Sequence, residues 1–177
     1  MKITILTVGK LKESYWKQAI AEYSKRLGLY TKLELVEVED EKTPDQASDL
    51  FCEQIKDKEG DRLLARCPKD GYVIALAIDG KQYDSVALSK HLEKLTVAGR
   101  SHLVFVIGGS LGLSKKVLAR ADEDIGPIFP CHRLVSAVYV QRERLGGRIP
   151  AACLIDIVQI GIAVDLHVAE RIERSAA

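Results

Sequence analysis

The chain has 177 residues, of which 47% are hydrophobic and 29% charged, enough apolar material for one domain, or for one domain with a small appendage. Its 26 Lys and Arg against 25 Asp and Glu give a net charge of +1, which excludes a general basic field. A nucleic-acid partner would have to be met by a local patch, or by patches joined in an oligomer.

In chain order, Lys2 to Val8 is rich in Ile, Leu and Val and reads as a strand ended by Gly9. The apolar part of MKITILTVGK is too short for a signal peptide. Glu13 to Leu27 reads as a helix, with Ala19, Ile20, Tyr23 and Leu27 at helical spacing and Gly28 closing it. Leu33 to Val38 alternates as a second strand. The polar segment EDEKTPDQASD, residues 39–49, is expected to be a surface loop. Leu50 to Ala65 is a charged amphipathic helix, and Gly71 to Ile78 is an almost wholly apolar third strand. Asp79-Gly80 reads as a turn. Ser85 to Val97 is a helix closed by Gly99, Leu103 to Ile107 is the fourth strand, and Ser114 to Ala121 is the next helix.

Strands alternate with helices, and the central strands are apolar throughout. That is the pattern of an α/β domain: a mostly parallel sheet with helices on both faces. The apolar run Ala151 to Val168 is interrupted by Asp156, Gln159 and Asp165 and falls short of a membrane span. The four cysteines, Cys52, Cys67, Cys131 and Cys153, form no CxxC pair. They argue against a zinc site and for free thiols in a reducing cytoplasm.

The stretch HLVFVIGGSLGLSKKV, residues 102–117, carries the strongest local signal. GGSLG matches neither the dinucleotide fingerprint GxGxxG nor the GK[ST] of a phosphate loop. Glycines let a backbone approach a flat ligand or turn sharply into a helix, and both readings stand. Ligands of open α/β sheets bind beyond the carboxyl ends of the strands. Gly108-Gly109 and Asp79-Gly80 both fall there, which points to one shared pocket. Asp79 is either a general base or the first residue of a turn. His132 and Arg133 follow another expected strand end and are candidates to meet a substrate. Lys10, Lys12, Lys17, Lys25 and Arg26, with Tyr15, Trp16 and Tyr23, form either a phosphate-facing patch or a solvated helix face. His91 and His102 look like ordinary helix and strand-edge residues, and His167 has no evident metal partners.

Several segments taken together are specific: residues 1–27, EKTPD at 41–45, IKDKEGDRLLA at 55–65, VIALAIDGK at 73–81, HLVFVIGGSLGL at 102–113 and IFP at 128–130. In order, spacing and wording they resemble the ribosomal RNA large subunit methyltransferase H family of SPOUT enzymes, strongly over residues 1–133. The resemblance implies a SPOUT-like fold with a C-terminal trefoil knot over residues 1–147, and a cytoplasmic homodimer without metal. It implies transfer of a methyl group from S-adenosyl-L-methionine to N3 of a pseudouridine in 23S ribosomal RNA of the assembled ribosome. Carried over residue by residue, the cofactor contacts fall on Leu76, on Gly108, and on Ile125, Gly126, Pro127, Ile128 and Phe129. His132 and Arg133 are the expected catalytic pair.

The text after Phe129 departs from the family. Cys131 precedes His132, no EQ-x-YRA motif follows, and no Tyr-His tail closes the chain. Residues 148–177 form an atypical C-terminal segment, helical or disordered, that reflects either divergence or a shifted reading frame. Two other functions therefore stay open: a SPOUT-like RNA methyltransferase with another target nucleotide, and an inactive RNA- or ribosome-binding protein.

Overall fold

The computed structural model describes residues 1–126 apart from 11–13, 29, 45, 46 and 84. The elements in chain order are β1 (Lys2–Val8), α1 (Ser14–Leu27), β2 (Lys32–Val38), α2 (Asp49–Arg66), β3 (Tyr72–Lys81), α3 (Ser85–Val97), β4 (His102–Ile107), α4 (Lys115–Arg120) and β5 (Glu123–Ile125). The strands form one sheet in the order β2-β1-β4-β3-β5, and every pairing is parallel. Parallel neighbours need crossovers, which the intervening helices supply.

Alternation along the strands explains why the central ones read as unbroken apolar runs. Ile3 and Ile5 of β1, Ile74 of β3 and Leu103, Phe105 and Ile107 of β4 pack with Leu88 and Leu92 of α3. On the other face Leu6, Val8, Val73, Val104 and Val106 pack with Leu63 of α2 and Val117 of α4. Both faces are covered, so successive side chains are all apolar. β2 is an edge strand and carries exposed Lys32, Glu34 and Glu37, charges of the kind that discourage further strand pairing.

α2 starts with a physical signal. The Ser48 hydroxyl caps it by accepting from Phe51 N, and Asp49 in the first turn suits the positive end of the helix dipole.

Two expectations need correction. Asp79-Gly80 is no turn: β3 runs on to Lys81, because its last residue finds a second partner in β5. β5 itself was not foreseen, since its three residues, Glu-Asp-Ile, carry too little pattern to read as a strand. The trefoil knot and the segment 148–177 fall outside the described residues. Among the described residues no helix is long and apolar enough to cross a membrane.

Phe105 is fully buried at the centre of the sheet, whereas Val97 is 83% exposed. Phe105→Ala is expected to lower the unfolding free energy by about 3–5 kcal/mol, and Val97→Ala to change it by less than about 0.5 kcal/mol. Urea titrations followed by circular dichroism would measure the difference.

Candidate functional site

The carboxyl edge of the sheet gathers the residues that the sequence singled out. Leu76 of β3 stands in register with Ile107 of β4 on one side and with Ile125 of β5 on the other. Gly108 and Gly126 are the next residues of those two neighbours. Four of the expected cofactor residues, Leu76, Gly108, Ile125 and Gly126, thus share one edge of three adjacent strands. Ile107 and Ile125 are fully buried, but Leu76 between them is only half-buried and leaves apolar surface open there. Pro127, Ile128, Phe129, His132 and Arg133 lie outside the described residues.

The GGSLG stretch folds back on itself. Gly109 and Gly112 form an antiparallel bridge, and Gly112 N donates to Gly109 O at 3.1 Å. Gly112 has a φ of 88°, in the left-handed region that suits glycine. Gly108 is glycine for a different reason. A Cβ there would meet the carbonyl carbon of Gly112 at 2.6 Å and its oxygen at 2.7 Å. The structural half of the glycine reading is therefore met by the loop's own return. The loop ends at buried Ser114, whose hydroxyl accepts from Val117 N and caps the six-residue α4. Lys116 turns away to pair with Asp61 of α2 at 3.0 Å.

Across the edge, Ile125 pairs with both Leu76 and Lys81, so residues 77–80 bulge out of β3. The bulge is clipped in place: Gly126 N donates to Lys81 O at 2.9 Å, and a Cβ on Gly80 would lie 2.5 Å from the Ile125 carbonyl carbon. Within it Asp79 is exposed and Ile78 is 68% exposed. Asp79 thus faces solvent from a strand bulge, not from a turn.

Sequence reasoning gave no role to Glu59, which sits in the middle of α2 yet is buried. Its Oε1 accepts from Glu41 N at 2.9 Å. Its Oε2 lies 2.9 Å from where a Cβ on Gly109 would stand. Burial, with Asp40 and Glu41 adding like charge, pushes its carboxyl above the ordinary carboxylate range, although the Glu41 amide works the other way. The signal in the sequence was Gly60. A glycine inside a helix costs about 1 kcal/mol, and here it admits Ser114, whose Oγ would be 2.1 Å from a Cβ.

The histidines are more connected than expected. His91 Nε2 lies 2.8 Å from both carboxylate oxygens of Glu123, and its ring stacks on Tyr83 at 5.1 Å. His102 Nε2 is 2.9 Å from Thr4 Oγ1. Cys52 and Cys67 are free thiols, and burial raises the Cys67 pKa. Lys10, Lys17 and Lys25 are exposed. Lys12 and the side chains of Tyr15, Trp16 and Arg26 lie outside the described residues. Among the described residues no group of three or more His, Cys, Asp or Glu is placed to hold a metal ion.

A family model described as "Predicted SPOUT methyltransferase" matches residues 1–141, and the chain belongs to that family. It is similar to proteins named "Ribosomal RNA large subunit methyltransferase H". The one from Listeria monocytogenes serotype 4a is 54% identical over 144 residues, covering 80% of this chain and 91% of its own. Those of Lysinibacillus sphaericus and Streptococcus thermophilus are 52% and 51% identical with the same coverage. The match to the family model extends past residue 133, where the resemblance in the sequence ended, and stops before the atypical segment.

The two loop glycines should respond differently to alanine. Gly108→Ala forces backbone against backbone and is expected to cost about 2–3 kcal/mol. Gly112→Ala meets open space and should cost only the left-handed penalty, roughly 1–2 kcal/mol. Thermal unfolding of the two variants would rank them.

Glu59 also predicts a pH dependence. Its folded-state pKa is raised, so the folded chain holds the proton more tightly than the unfolded one. The stability gained from the protonated group is complete below the unfolded pKa and is lost as pH rises through the folded value. The stability of the wild type relative to Glu59→Gln should therefore fall as pH rises from the acid side through that window. Denaturant titrations of both proteins at a series of pH values would show it.

Proposed function

We propose that this chain transfers a methyl group from S-adenosyl-L-methionine to N3 of a pseudouridine in 23S ribosomal RNA of the assembled ribosome. The observation that carries the reading is the shared edge of Leu76, Gly108, Ile125 and Gly126 in a chain of the SPOUT methyltransferase family. The relatives' name supplies the ribosomal RNA.

The edge suits this methyl donor. A donor without phosphates needs no phosphate loop, and GGSLG is none. Its adenosine needs an apolar surface and main-chain polar groups, which half-buried Leu76 and the ends of β4 and β5 offer. When bound, it supplies an electrophilic methyl group on a sulfonium. By the family resemblance, Pro127, Ile128 and Phe129 also serve to hold the donor. Pseudouridine N3 is an imide nitrogen that loses its proton as it attacks. His132 and Arg133 are assigned to the target base, with Arg133 steadying the negative charge that develops on the nucleobase or holding a phosphate.

A single protomer of charge +1 has little net attraction for RNA, and two protomers would double any basic patch. We therefore take the working form as a cytoplasmic homodimer without metal. One observation keeps a second reading in place. The family match ends at residue 141 of 177, so the tail that would help select the base or close the site is not family-like. A different target nucleotide, or an inactive RNA-binding protein, follows if that tail fails.

The test uses calorimetry with S-adenosylmethionine, and transfer of a labelled methyl group to ribosomes from cells lacking their own enzyme, with mapping of the labelled nucleotide. Leu76→Ala should weaken donor binding about tenfold, the worth of part of a buried leucine. Arg133→Ala should leave donor binding intact and lower transfer about a hundredfold. Label on another nucleotide would select the first alternative. Absence of both donor binding and transfer would select the second.

A further inference from the structure

The motif IKDKEGDRLLA, residues 55–65, resembles the family yet touches none of the expected contacts. In the structure its two central residues address both ends of the glycine loop. Glu59 presents its Oε2 to Gly109, at 2.9 Å from an ideal Cβ, and Gly60 receives Ser114 at the loop's far end. Lys116 just beyond pairs with Asp61 at 3.0 Å and fastens α4 to the same stretch of α2. The other oxygen of Glu59 accepts from Glu41 N at 2.9 Å. One turn on, Arg62 donates to Glu39 O at 2.9 Å and pairs with the Glu41 carboxylate. A single buried side chain therefore stands between the loop that follows β2 and the loop that follows β4.

From this geometry we propose that Glu59 is a positioning residue for the methyl donor, acting through Gly109 to fix the height of the Gly108–Gly112 loop at the carboxyl edge. The inference rests on the functional reading above, in which Gly108 contacts the donor. Its physical basis is close packing. The loop cannot sink, because the carboxyl of Glu59 fills the space beneath Gly109, and that carboxyl cannot retreat without abandoning the amide of Glu41. The Glu41 amide is half-buried, and giving up its charge-assisted bond to the carboxylate is unfavourable. Gly109 has no left-handed φ, so a substitution there is judged by space alone. Val8 Cγ1, at 3.2 Å from the same Cβ, needs to yield only a few tenths of an ångström.

The test is a double-mutant cycle in the full chain, read as donor KM and kcat for methyl transfer to ribosomes, with calorimetry of S-adenosylmethionine alongside. Gly109→Ala drives its Cβ against Glu59 and should raise the donor KM about tenfold, with kcat at saturating donor within about threefold of the wild type. Glu59→Asp withdraws the carboxyl by one methylene. Added to Gly109→Ala, it should return the donor KM to within about threefold of the wild type. Glu59→Gln keeps the length and the acceptor oxygen and should change the donor KM by less than about threefold. An unchanged KM in Gly109→Ala, a double variant no better than Gly109→Ala, or a tenfold rise in folded Glu59→Gln would each overturn the inference. If Gly109→Ala does not fold, the Glu59→Gln result decides. If the wild type itself binds no S-adenosylmethionine, the functional reading falls and this inference with it. Donor binding by the wild type with purely additive variants removes this inference alone.

Discussion

β4 is hydrogen-bonded on both sides, to β1 and to β3, and its side chains are buried on both faces of the sheet. A strand held in four directions cannot slide, because a slip of one residue would exchange Val104 and Val106 with Leu103, Phe105 and Ile107 between two differently shaped cores. That fixed register decides where the strand stops. Ile107 ends level with Leu76, Leu76 is level with Ile125, and the three chain ends therefore arrive at one line. The order of the sheet also makes the connections leaving β1 and β4 run to opposite sides.

What lies beyond that line is built from close backbone approaches. Gly80 lies against Ile125, Gly108 against Gly112, and Gly109 against Glu59. Each contact would be broken by a single methyl group, so the edge is shaped by main chain more than by side chains. A surface of that kind offers amides and carbonyls in fixed positions. α2 supports this edge from the side and holds the only buried glutamate among the described residues. Its Gly60 gives up helix propensity to let the loop's end come close.

Family membership and the geometry of the edge rest on separate observations. The family model rests on the sequence of residues 1–141. The edge rests on strand register and on which atoms would collide with an added Cβ. At Gly108 the loop's own return accounts for the glycine.

Much of this was legible without coordinates. The apolar runs of β1, β3 and β4, the helical spacing of α1, α2 and α3, and the glycines at strand ends all follow from local periodicity and backbone preference, which a sequence carries directly. The family resemblance was legible as well. Strand order, the register of Leu76 with two neighbours, the four-residue bulge of β3 and the existence of β5 were not legible. Each depends on pairing between segments far apart in the chain, and short Glu-Asp-Ile has no pattern until β3 lies beside it. Glu59 shows the same limit most plainly. In the sequence it is one charge among many on an amphipathic helix. Only packing places it beneath Gly109, because burial is a property of what surrounds a residue and not of the residue itself.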